Sequence, residues 1–243
     1  MANGNSVIDD LNAEQAKELD ATVCKHIIAN LGHESATLRA VTDFASWTGR
    51  ANYLLPVEVF TVNYDLLLEI ALEQCAVPYF DGFTGNYQAR FQTDLVEAMP
   101  PHDNDSVPAF FVRLWKLHGS INWAWRANNE VVRLGQPSET LPAAIYPSDT
   151  KYDESRRVPF VVLQDRFRRS LHHPETLCLV AGYSFGDAHI NELLFKAAGK
   201  RERSEIVVFC HSTIPESLAT KAASTPNIQV IAPTEGMIGG QRG

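Results

Sequence analysis

The sequence predicts an α/β domain, a doubly wound parallel sheet carrying helical and irregular insertions. Two observations predict it. Five short runs of β-forming residues, at 57–62, 110–117, 176–181, 205–210 and 227–232, are separated largely by segments of helical periodicity. The first four runs end in polar residues or glycine, and in a sheet with right-handed crossovers such ends face the ligand crevice.

The elements follow in chain order. Residues 12–31 read as an amphipathic helix: Asn12 and Gln15 have capping-box spacing, Leu19, Val23, Ile27 and Leu31 recur every four residues, and Gly32 is a stop. A second helix is expected over 35–47, with Leu38, Val41 and Phe44 inward. Residues 1–56 thus form a helical N-terminal segment of the same domain. After Pro56, residues 57–62 read as a buried parallel strand ending in Asn63-Tyr64-Asp65, and 66–74 as helix. Residues 78–108, with Gly82, Gly85, Pro100, Pro101 and Pro108, read as an irregular excursion. The strand at 110–117 ends at His118-Gly119-Ser120. The Trp123/Trp125 alternation and residues 131–134 suggest a small antiparallel piece, followed by a loop over 137–157. Helix 160–171, strand 176–181, the turn Gly182-Tyr183-Ser184 and helix 187–198 come next. Strands 205–210 and 227–232 flank a helix at 215–223, so the main domain spans 57–235. Residues 236–243, with Gly239-Gly240, read as a flexible, frayed tail.

Composition narrows the function. Of the 243 residues 45% are hydrophobic and 21% charged, enough apolar content for a real core. The net charge of −8 argues against direct nucleic-acid binding. The one basic stretch, Arg166-Phe167-Arg168-Arg169 with His172 and His173, reads as the solvated face of a helix or as an anion contact. No secretory leader or membrane-spanning run is visible, so a cytoplasmic protein away from membranes is expected. Cys24, Cys75, Cys178 and Cys210 are far apart with no paired spacing; no metal site is expected, and most read as small buried hydrophobes.

The candidate site residues sit at strand ends: Asn63 and Asp65, His118 and Ser120, Ser184 and Asp187, His211 and Ser212. Asp65 suits a helix cap as well as a ligand contact. Asn63 offers both donor and acceptor to a ribose hydroxyl or a carboxamide. His118 is either a general base or a structural histidine, beside a glycine that admits close approach. The stretch from Ala181 to Asp187 is either a phosphate-binding turn entering a helix or a plain connection, and it lacks the dinucleotide glycine fingerprint. Phe110, Phe111, Trp115, Trp123 and Trp125 read either as a stacking platform for a base or as core.

Three segments together resemble the sirtuin-like family, in particular its bacterial antiphage-defence branch. Thr61-Val62-Asn63-Tyr64-Asp65 is similar to the threonine–x–asparagine–x–aspartate motif of the nicotinamide-ribose pocket. Leu117-His118-Gly119-Ser120 is similar to the catalytic histidine–glycine. The stretch from Val180 to Phe185 is similar to the glycine–x–serine turn near the NAD phosphates and ribose. The resemblance, over about 57–232, implies a Rossmann-like fold and NAD as substrate, with no metal. It implies His118 and Asn63 as catalytic residues. Thr61, Asn63, Asp65, Gly119, Gly182, Ser184 and His211 are the candidate NAD contacts. Residues 119–177 contain no cysteine, unlike the zinc module of sirtuin deacylases, which favours an NAD hydrolase. An NAD-dependent protein deacylase, or a silent NAD or ADP-ribose sensor or scaffold subunit, are the other readings. The family opens with a strand and a glycine loop; here only Asn3-Gly4-Asn5-Ser6 precedes the first helix, so a truncated chain or a lost loop is expected. A homo-oligomer or a partner defence protein is the expected assembly.

Overall fold

The computed structural model describes residues 38–50, 55–99, 107–138, 142–144, 156–199 and 204–243, with Gln15, Leu19 and Thr22. The helix expected over 12–31 lies outside the described residues except at those three positions, which are helical. The chain divides into two compact units, Met1–Gln164 and Asp165–Gly243.

From residue 38 on, the described elements of the first unit open with α1 (Arg39–Arg50), β1 (Glu58–Thr61), α2 (Leu67–Gln74) and β2 (Tyr79–Phe80). Strand β5 (Val112–Lys116) lies between β1 and β2 and is parallel to both. A strand flanked on both edges is buried along its length, and all five residues of β5 are buried. Side chains alternate across it, and Leu114 joins Ala71 and Leu72 of α2 and Ala45 of α1 in the core on one face. In α1, Val41, Ala45 and Thr48 form the inward stripe at i, i+4 and i+7. Phe44, expected inward, points outward and packs on Trp47 at 5.8 Å. Both aromatics lie off the stripe that Ala45 defines.

The excursion expected over 78–108 has regular structure within its described part. Besides β2 it contains β3 (Phe83–Thr84), β4 (Gln88–Phe91) and α3 (Thr93–Glu97). These join β6 (Gly119–Trp125), β7 (Val131–Leu134) and β8 (Pro142–Ala144) in an antiparallel sheet ordered β3-β4-β7-β6-β8. The small antiparallel piece is therefore five strands, and β8 falls inside the expected loop. Trp123 anchors this sheet, packing on Phe83 and Phe160 at 4.9 and 6.1 Å.

The second unit contains most of α4 (Phe160–His172), then β9 (Leu177–Ala181), α5 (Ala188–Gly199), β10 (Glu205–Phe209), α6 (Glu216–Ser224) and β11 (Ile228–Ile231). Strands β9, β10 and β11 are parallel neighbours. Cys178 and Ile206 meet Leu171 of α4 and Ala197 and Ala198 of α5 around a small cavity on one face. The other face leaves Leu177, Leu179, Phe209 and Ile231 exposed. The expected frayed tail is instead a hairpin, β12 (Gly236–Ile238) and β13 (Gln241–Arg242), antiparallel to β11. Gly239 and Gly240 form its turn, both with positive φ. Parallel strands alternating with helices make this an α/β fold consistent with the doubly wound, Rossmann-like class. No described helix is long and apolar enough to cross a membrane.

Candidate functional site

In the first unit, Thr61, Asn63, Asp65, His118 and Gly119 gather at the carboxyl ends of β1 and β5. Thr61 pairs with Lys116 in the parallel register, and the Leu117 amide donates to the Thr61 carbonyl at 2.9 Å. Asn63 and His118 each follow that pair by two residues, at adjacent strand ends.

Their local roles differ. The Asn63 amide donates to Thr61 Oγ1 at 3.1 Å, so the threonine braces the backbone of an exposed asparagine. Asp65 Oδ1 accepts the Leu67 amide at 3.0 Å, so one oxygen serves the start of α2. His118 is buried in the turn between β5 and β6. Gly119 has φ +87°, and a Cβ there would fall 2.2 Å from the Ala143 carbonyl oxygen. The group that needs this glycine's close approach is the backbone of β8. Behind these residues the Tyr64 carbonyl accepts from the Ile121 amide at 3.0 Å and from Ser120 Oγ at 3.3 Å.

The sequence reading missed Lys116 and Glu69. Lys116 Nζ pairs with Glu69 Oε1 at 2.9 Å, the side chains 3% and 13% exposed. The same ammonium donates to the Asp65 carbonyl and, at 3.5 Å, to the Tyr64 carbonyl. Lys116 shares a strand face with Leu114, and α2 supplies both the core partners of Leu114 and the carboxylate of Glu69. The available signal was a lysine near the end of an otherwise apolar run, where a cation must find an anion.

The aromatic residues divide. Trp115 and Trp123 are each 1% exposed and belong to the core, Trp115 with its indole N–H on Glu58 at 2.9 Å. Phe110 is exposed and packs on Phe111 at 5.1 Å. Trp125 is half-buried beneath the Arg157 guanidinium.

In the second unit, Gly182 and Ser184 follow β9 and His211 follows β10, paired strands with Ala181 opposite Phe209. Gly182 has φ +65° and open space where a Cβ would stand. Ser184 Oγ accepts the Gly186 amide at 3.4 Å. Asp187 Oδ1 accepts the His189 and Ile190 amides at 2.9 and 3.2 Å, capping α5. A carboxylate therefore already takes two of the amides at the start of α5. Tyr183 donates to the Asp187 carbonyl and pairs with Asn191, whose amide donates to the Phe185 carbonyl at 2.7 Å. Burial, then the nearby Asp187 charge, push Tyr183 up to about 12, so it stays neutral at physiological pH. His211 is exposed.

The basic stretch is not simply a solvated face. Arg166 is buried, while Arg168 and Arg169 share the Asp165 carboxylate at 2.7 Å each. Cys75, Cys178 and Cys210 are free and half-buried, and burial raises Cys178 to about 11, leaving an unreactive thiol. Cys24 lies outside the described residues. Among the described residues no three His, Cys, Asp or Glu side chains group as metal ligands.

No curated protein matches the chain. The family model described as SIR2-like domain matches residues 57–231, well over half of the chain and including all the candidate strand ends. The chain belongs to the SIR2-like domain family, which includes NAD-dependent enzymes, and its function is related to NAD.

Proposed function

We propose that the protein hydrolyses NAD to nicotinamide and ADP-ribose, in the cytoplasm, as part of bacterial antiphage defence, and as a homo-oligomer or with a partner defence protein. The observation that carries the reading is the placement of Asn63 and His118, each two residues past the paired Thr61 and Lys116 on adjacent parallel strands. An amide and an imidazole at neighbouring strand ends supply what glycosidic cleavage needs. Asn63 orients the nicotinamide ribose and the attacking water. The bond from ribose to nicotinamide breaks with its electron pair leaving on nicotinamide, whose positive charge it neutralises. Water captures the cationic sugar and gives up its proton to His118. The positive leaving group removes the need for a metal ion. Thr61 braces Asn63, the oxygen of Asp65 not engaged by Leu67 faces the carboxamide, and Gly119 lets the turn close.

The test is nicotinamide release by Asn63→Ala and His118→Ala. Each loses on the order of 10²–10⁴ in rate with its circular dichroism retained, the range for losing a general base or its equivalent. Wild-type release by either folded variant sinks the assignment. Release that requires an acylated peptide indicates a deacylase.

A further inference from the structure

We propose that the buried Lys116–Glu69 pair is a positioning device that holds the 63–65 loop, and with it the Asn63 side chain, in working geometry. The proposal rests on the reading of Asn63 given above. Lys116 Nζ donates to two successive carbonyls, Tyr64 and Asp65, immediately after Asn63. Ser120 and Ile121 add donors to the Tyr64 carbonyl from β6. Upstream, the Asn63 amide is fixed on Thr61 Oγ1. Asn63 is thus exposed while the backbone on both sides of it is clamped.

Glu69 completes the device. Its Oε1 receives the ammonium at 2.9 Å, and its Oε2 is buried without a hydrogen-bond partner among the described residues. A carboxylate in that position cannot relax toward water, so it draws Lys116 across the loop. A buried pair adds little net stability compared with apolar residues of similar volume, so its geometric role is what an apolar pair would not reproduce. Neither side chain is placed to touch a substrate; both act through the loop.

The experiment uses the full chain with Lys116→Met, and with Lys116→Met combined with Glu69→Leu. Nicotinamide release, thermal melting and hydrogen exchange of the 63–65 amides are read on each. Lys116→Met melts lower because it strands the Glu69 charge, and its kcat falls on the order of a hundredfold, the scale of a misplaced reacting group, with a smaller change in KM. The double variant recovers its melting temperature, because no lone buried charge remains, yet keeps the low kcat and the faster exchange at 63–65. Recovery of melting, turnover and exchange together overturns the proposal, since the pair would then be structural filling. If the wild-type protein releases no nicotinamide, the hydrolase reading falls, and exchange still decides the clamp. Faster exchange at 63–65 in a double variant of wild-type melting temperature supports it, and unchanged exchange overturns it.

Discussion

In the Met1–Gln164 unit two ion pairs are largely buried, beside surface pairs such as Arg90 with Glu130. Lys116 meets Glu69 under the Asn63 loop, and Asp81 meets Arg133 at 2.8 Å, its carboxylate also taking the Phe83 amide where β2 passes into β3. In the Asp165–Gly243 unit the ion pairs lie largely on the surface: Lys196 with Glu192 along α5, Arg242 with Glu235 at the hairpin, Arg168 with Asp165. Its strand-end turn is held by neutral hydrogen bonds and one helix cap. Removing one partner of a buried pair costs about 3–5 kcal/mol, whereas an exposed pair contributes about 0–1. The two sets of strand ends are therefore built to different tolerances. The first is fixed by contacts that cannot be lost singly, and the second by contacts that can.

Two glycines give the sharpest way to break this comparison. Gly119→Ala forces a Cβ to within 2.2 Å of the Ala143 carbonyl oxygen and 2.8 Å of Ala144 Cα, both backbone, at a φ of +87°. Nothing flexible can yield, and the expected loss exceeds about 4 kcal/mol, enough to abolish folding in many domains. Gly182→Ala meets open space and carries only the left-handed backbone, about 1–2 kcal/mol. Urea unfolding of both variants checks the difference. Equal, mild losses would mean that β8 does not pass against Gly119.

A second prediction concerns acid. Asp81 is buried, and desolvation raises its carboxyl to about 6 despite the opposing Arg133 charge. The unfolded chain releases that proton near pH 4, before the folded chain does. The folded state thus binds the extra proton between about pH 4 and 6. For this group stability is highest below about pH 4 and falls as pH rises through 6, by up to about 3 kcal/mol. Asp81→Asn should flatten that slope, because no group that titrates remains beside Arg133. A slope unchanged by the substitution assigns the titration elsewhere.

The strand ends were legible because short runs rich in β-forming residues mark the parallel strands, although β9, expected buried, leaves Leu177 and Leu179 exposed. The run at 57–62 became β1, that at 176–181 became β9, and topology alone directs attention to the polar residue that follows each. The antiparallel sheet was not legible, since β3 and β8 have two and three residues and cannot display a period. Gly239-Gly240 was a hairpin signal read as fraying; two apolar residues just before it, Met237 and Ile238, should have weighed against that. Lys116 was hidden for another reason. Its partner Glu69 lies 47 residues away on another element, and only packing makes the two neighbours. Asp65, by contrast, bonds the Leu67 amide two residues on, a local contact of the kind its position suggests.

The smallest expected effect tests the second unit's turn on its own terms. Asp187 accepts the His189 and Ile190 amides from one oxygen, which satisfies two of the free donors at the start of α5. Asp187→Ala should cost about 1 kcal/mol, the usual value of an N-cap, and Asp187→Ser should restore most of it because a hydroxyl accepts in the same place. Neither change touches the Tyr183–Asn191 bond, since Tyr183 donates to the Asp187 backbone carbonyl and that group survives both substitutions. The loss should therefore be shallow and two-state, with an unchanged denaturant slope, and it should not depend on Lys116 or Glu69. Additivity of Asp187→Ala with Lys116→Met, measured by urea unfolding, checks that independence. A coupling above about 0.5 kcal/mol between the two would show that the turn and the clamp do not act separately. The contrast between the two sets of strand ends would then have to be withdrawn.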